Sequence, residues 1–315
     1  MSDALTEALN SPSGSLAEVV LKRLTKGPGS DELPDDMRGR LDRLVEAKGE
    51  AGRLARIRLA AEVSYLFDRA PEWTSRKLIP IFDWSSPDAA DAWDSRKYST
   101  YIGSSELFLL TKKPFLEMFG RNDIPTDDLR TFAEWLVAIL IANRSHPDAT
   151  YAVEATEARA ALRKAGVDVL SAAAHRLASE MGETTPDEGA KRWRIIIGPV
   201  FKDIWPLDVE LQSDASNFAF VQILTATGDA FAEAAEAIIP FIRPDDPRRH
   251  TTIFSIAEAP DSFYEASPAK VLDLVAAIVG DAPPKSFICL DQALSKIRSV
   301  APDLASSRKF QKLMT

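Results

Sequence analysis

Apolar residues return every three or four positions over most of the chain. Leu54, Ile57, Ala61 and Tyr65 form one stripe, and Leu129, Phe132, Leu136 and Ile139 another, at the spacing that puts side chains on one face of an α-helix. Extended alternation of apolar and polar residues between turn signals is missing. The run Ile195-Ile196-Ile197 is β-branched enough to suggest a strand. It follows a capped helix start and precedes Pro199, so helix is the better assignment. The pattern predicts about 14 helices and no sheet.

Small polar residues followed by proline mark several helix starts, because proline tolerates the first turn and the hydroxyl can accept an orphan backbone N–H. Ser86-Pro87, Thr185-Pro186 and Ser267-Pro268 fit. Glu188, three residues after Thr185, completes a capping-box spacing, and Thr126 with Asp127 and Asp128 opens another helix. Loops are expected at 26–34, 121–125 and 243–247, where Gly, Pro, Asn and Asp cluster.

A short phrase recurs: an apolar run, a proline, then an aromatic within two residues. It reads Leu78-Ile79-Pro80-Ile81-Phe82, Ile197-Gly198-Pro199-Val200-Phe201 and Ile239-Pro240-Phe241. Proline removes a backbone donor and clashes with the preceding turn, so each phrase should kink or stop a helix at a corner packed by an aromatic. The prolines are 119 and 41 residues apart. Those spacings suggest steps of about 40 residues, the period of HEAT-like helix pairs. The expected fold is all-α, an α-solenoid of stacked helix pairs, with N-terminal repeats over 1–145 and C-terminal repeats over 146–315 continuing them.

Composition adds exclusions. With 315 residues, 45% hydrophobic and 27% charged, the chain can bury a large core. Its longest apolar runs, 135–142 and 274–279, are far below the roughly 20 residues of a membrane span. The first ten residues lack a basic start followed by an apolar stretch, so a cytoplasmic location without membrane contact is expected. The single Cys289, flanked by Phe287, Ile288 and Leu290, allows no internal disulfide and reads as a small apolar residue. The net charge of −9 disfavours nucleic acid as a partner.

No motif commits the chain to an enzyme. It has neither a Walker-type Gly-Lys-Ser/Thr nor a Rossmann triple glycine, and no cofactor is expected. His146, His175 and His250 lie in separate segments, and Asp246 one turn from His250 is cut off by Pro247. Asp83, Asp88, Asp91 and Asp94 include carboxylates that can share a helical face, as a hard cation or acid-base chemistry would need. The plainer reading has Asp88 complementing a helix dipole and the others facing solvent. Lys191-Arg192-Trp193-Arg194 and Arg248-Arg249-His250 mix cations with rings as single-strand binders do, yet consecutive residues point around a helix. The tryptophans at 73, 84, 93, 135, 193 and 205 are core residues or interface anchors. Trp84, Trp93, Trp193, Arg248 and Arg249 are the candidate partner-binding residues.

A family resemblance rests on structural signatures. The segment 78–84 followed by Ser86-Pro87-Asp88-Ala89-Ala90-Asp91-Ala92-Trp93 resembles the C-terminal helical regions of large bacterial antiviral-defence proteins, some of which carry an N-terminal sirtuin-like domain. Phe201-Lys202-Asp203-Ile204-Trp205-Pro206, the stretch from Gly228 to Pro240, and 10–18 are similar too, so the likeness covers most of the chain. It implies architecture rather than activity, since no sirtuin-like nucleotide site is present. The expected function is a noncatalytic scaffold or sensor for a protein partner, an effector domain or a phage component. The alternatives are a metal-dependent enzyme using carboxylates near Asp83 to Asp94, and a nucleic-acid-binding module.

Overall fold

Thr185 caps its helix as the sequence predicts. Its hydroxyl accepts from the Glu188 backbone N–H while the Glu188 carboxylate accepts from the Thr185 N–H at 3.1 Å. Glu154 and Glu157 form a second capping box that the Ser/Thr-Pro pattern does not reveal. Ser86-Pro87 is a false start: that helix begins at Ala89, because 83–88 are held in turns by the Asp83 carboxylate, which accepts from the Ser85 N–H and hydroxyl. The computed structural model describes residues 4–26, 33–99, 102–148, 150–182, 185–248 and 251–314. Among them every regular element is helical and no strand occurs, with more and shorter helices than the periodicity predicts. Most of the loop expected at 26–34 lies outside the described residues.

The chain divides into two compact units, 1–128 with 149–153, and 129–148 with 154–315. The first is organised around helix Gly49–Ala61, which packs against Ala4–Leu9, Pro12–Lys26, Asp35–Glu46 and Ala89–Arg96. Leu54, Ala55, Ile57, Leu59 and Ala60 of this helix are buried among those neighbours. Its three arginines reach outward to tie them down. Arg53 pairs with Glu7 and Asp91, Arg56 with Asp88 and the carbonyls of Val45 and Ala47, and Arg58 with Glu18 and Glu62.

In the second unit helices lie in two rows. Val167–Met181 packs on Asn217–Thr225, which packs on Thr251–Glu258, which packs on Leu290–Val300. The other row runs Ala155–Ala165, Gly198–Ile204, Phe231–Ile238, Pro268–Val279 and Arg308–Met314, each beside the next. Between the rows lies an aromatic knot: Phe201 sits 5.8 Å from Phe220, 5.5 Å from Phe241 and 5.4 Å from Trp205.

The three proline phrases behave in two ways. Around Pro80 and Pro240 the chain makes 3-10 turns, Ile79–Phe82 and Ile239–Phe241, entered and left with matching backbone angles. At Pro199 the preceding turn widens instead into a π-helix, Trp193–Ile197, so the triple isoleucine is helical, as expected, in a wider turn than an α-helix. Gly198 makes this possible, because a Cβ there would lie 2.9 Å from the Trp193 indole. Pro199 has no N–H for the Ile195 carbonyl, and the Arg144 side chain supplies one at 3.1 Å.

Phe201 is 1% exposed at the junction of both rows. Phe201→Ala should therefore lower stability by about 3–5 kcal/mol, read as a lower denaturant midpoint.

Candidate binding groove

Two of the sequence-derived candidates are interior residues. Trp93 is 4% exposed, donates from Nε1 to the Phe82 carbonyl at 3.0 Å, and packs edge-on against Phe82 at 5.1 Å. Trp193 is fully buried under Gly198. Trp84 is half-buried: its Nε1 donates to the Pro114 carbonyl at 2.8 Å and the Arg121 guanidinium covers its ring at 4.3 Å. Arg248 is exposed and forks onto Asp246, whereas Arg249 and His250 lie outside the described residues. Of the other basic cluster, Arg194 meets Asp229 and Glu233 across a helix boundary.

The aspartate set is engaged by protein donors. Asp83 holds its own turn, Asp91 receives Arg53, and Asp94 receives Lys97 and the Ala4 N–H. Asp88 stands at the N-cap of helix Ala89–Arg96, where its charge complements the dipole, and it is 7% exposed and bound to Arg56. Lys97 also reaches Asp128, and these two carboxylates raise its pKa above the ordinary lysine value against the opposing effect of burial. Among the described residues no group of three or more His, Cys, Asp or Glu is placed to hold a metal ion.

A different surface emerges from the second unit's first row. Val167–Met181, Asn217–Thr225 and Thr251–Glu258 bury Ala173, Ala174, Leu177, Ala219, Phe220, Ile223, Ile253 and Ile256. That register turns His175, Ser179, Phe218, Gln222, Phe254 and Ser255 toward a groove of about 1010 Å³. Phe254 is 52% exposed, and the Gln222 side chain makes no hydrogen bond among the described residues. The His175 ring lies 6.3 Å from that of Phe218. Ser179 donates its hydroxyl to the Arg176 carbonyl rather than to His175, so that imidazole does not activate this serine. The surface offers aromatic area and side-chain hydrogen-bonding groups with little charge. Its signal in the sequence is an aromatic one step off each buried stripe, Phe218 beside Ala219 and Phe254 beside Ile253.

Partial desolvation by the groove walls, with help from Arg130 and against Glu134, pushes the His175 pKa below its ordinary 6.5. The folded chain therefore binds this proton less readily than the unfolded one. His175 contributes stability above that ordinary value, and the contribution is lost as pH falls through it toward the lowered folded value.

No family model and no solved structure matches the chain. It is 28% identical over 322 aligned positions to an uncharacterized protein of Sinorhizobium fredii, y4cA. The alignment takes in 97% of this chain but 25% of that protein, so the chain spans about a quarter of its relative's length. No helix among the described residues is long and apolar enough to cross a membrane.

Two outcomes are expected. An NMR titration should place the His175 midpoint below that of a free imidazole, and Phe218→Ala, by opening the groove wall, should move it upward. Arg56→Ala should cost about 3–5 kcal/mol by leaving the Asp88 charge buried without its partner, while divalent cations leave the melting temperature unchanged.

Proposed function

We propose that this chain is a noncatalytic α-solenoid that holds a segment of a protein partner in the groove on its second unit. The observation that carries this reading is the placement of exposed Phe254, half-buried Phe218 and unpaired Gln222 on successive helices of one row. Aromatic rings supply contact area at low entropic cost, and a side-chain amide between them can bond a peptide backbone. The repeat reading draws support from the other row, whose helices Gly198–Ile204, Phe231–Ile238, Pro268–Val279 and Arg308–Met314 begin 33, 37 and 40 residues apart. Each stacked pair would bury its apolar faces against the next and leave one edge of the row open.

The resemblance to antiviral-defence proteins supplies the setting: a cytoplasmic recognition module whose partner is an effector domain or a phage component. A module of this kind within a longer polypeptide agrees with the quarter-length match to y4cA. The groove carries His175 and Glu258 but no lysine or arginine, which favours a protein segment over a nucleic-acid backbone.

A photo-crosslinking amino acid placed at Phe254, with a control at exposed Glu236, tests this in bacteria with and without phage infection. A discrete protein adduct from position 254 alone is expected, abolished by Gln222→Lys at unchanged melting temperature. Equal adducts from both positions, or none from 254, would refute the groove as the binding face.

A further inference from the structure

A second open surface lies in the first unit, where Pro12–Lys26, Asp35–Glu46 and Gly49–Ala61 bound a trough of about 490 Å³. Its floor is closed and apolar, with Val20, Leu44 and Ala55 between 1% and 7% exposed. Its wall is open: Leu16 is 56% exposed. Ala51 and Ala55 are one turn apart on the same helix face, so a partner's backbone can approach closely.

Two cations edge this apolar surface. Arg40 and Arg43 sit one turn apart on Asp35–Glu46. Among the described residues Arg43 bonds only the Gly39 carbonyl of its own helix, at 3.0 Å. Arg40 faces Asp36 at 3.8 Å, with the two side chains 43% and 68% exposed, a geometry that contributes little. Neighbouring carboxylates are committed to other cations: Glu46 to Lys77, Glu50 to Arg53 and Glu18 to Arg58 and Lys22.

We propose that this trough receives one amphipathic helix of a partner protein, with its apolar stripe on Leu16 and Ala51 and carboxylates one turn apart meeting Arg40 and Arg43. Helix-in-groove recognition needs an apolar channel with flanking charges, and both are built on rigid helices here. A basic helix would bring like charges onto the two arginines, whereas an acidic one satisfies both guanidinium groups. This inference is independent of the groove on the second unit.

The test is fluorescence anisotropy on the full chain with two labelled peptides of about 15 residues, long enough to sample helix. Both carry leucines at helical spacing and differ only in having glutamates or lysines beside them. Saturable binding of the glutamate peptide is expected, weakened by salt, with the lysine peptide at least about tenfold weaker. Leu16→Ser should weaken the glutamate peptide about tenfold, and Arg43→Glu should reverse the preference toward the lysine peptide. Both side chains are exposed, so unchanged melting temperatures confirm that each variant folds. The proposal is overturned if neither peptide saturates, if both bind equally, or if both variants leave the glutamate peptide unaffected. A concentration-dependent dimer abolished by Leu16→Ser would assign the trough to a second copy of the chain and also overturn it.

Discussion

A helix that meets a proline loses one backbone donor, and the architecture of both units depends on how the chain absorbs that loss. At Pro80 and Pro240 it tightens into a 3-10 turn and leaves in extended backbone, with entry angles at Leu78 and Ile238 that nearly coincide, φ −103° against −96°. At Pro199 it widens into a π-turn and borrows a donor from Arg144. Whether the turn tightens or widens follows from what lies beneath it. Gly198 lets the Trp193 indole slide under the backbone, so the wide turn is filled, whereas Phe82 and Ile242 close the tight ones from inside.

The segments leaving the tight corners need anchoring, since irregular backbone buried without partners is costly. Each is held by a polar group on a packed helix acting on a buried aspartate. In the first unit Arg56 binds Asp88 and the carbonyls that end helix Asp35–Glu46. In the second, the fully buried Asn217 donates to the Arg243 carbonyl and to Asp245, while the Asp245 N–H bonds the Ile278 carbonyl. A charge pair and an amide thus perform the same task. The arginine reaches three acceptors at once, whereas the asparagine fits where its carbonyl oxygen must also accept the Arg243 N–H at 3.3 Å.

Helical class, the Thr185 cap and the corners were legible in the sequence because they depend on local geometry. The meaning of the proline spacing was not. Pro199 begins a helix and Pro240 follows the end of one, so their separation of 41 residues does not mark equivalent positions. Pro80 and Pro240 are the equivalent pair, and only backbone angles reveal it. The π-turn escaped because a triple isoleucine gives no sign of the room that Gly198 makes beneath it. Spacing shows that the aspartates at 88, 91 and 94 can share a face but not what occupies them: Arg56 and Arg53 of another helix for the first two, Lys97 and the Ala4 N–H for the third. Trp93 and Trp193 are large enough to be the core of their corners, whereas Phe254, which local patterning places beside the stripe, is 52% exposed.

As proposed binding sites, the two open surfaces would differ in what they select. The groove of the second unit combines rings and uncharged polar groups, so a partner held there would be discriminated by shape and by hydrogen bonds that a wrong partner would leave unmade. The trough of the first unit has an apolar floor and two cations, so a helix docking there would be discriminated by sign of charge. A net charge of −9 does not oppose an acidic partner there. At physiological salt the screening length is about 8 Å, so an approaching carboxylate responds to Arg40 and Arg43 and hardly to acidic groups elsewhere. Glu18, Glu46 and Glu50 on the three helices that bound it are each held by another cation. The local field at the trough is therefore dominated by two arginines, of which Asp36 partly offsets Arg40, and total charge is a poor guide to it.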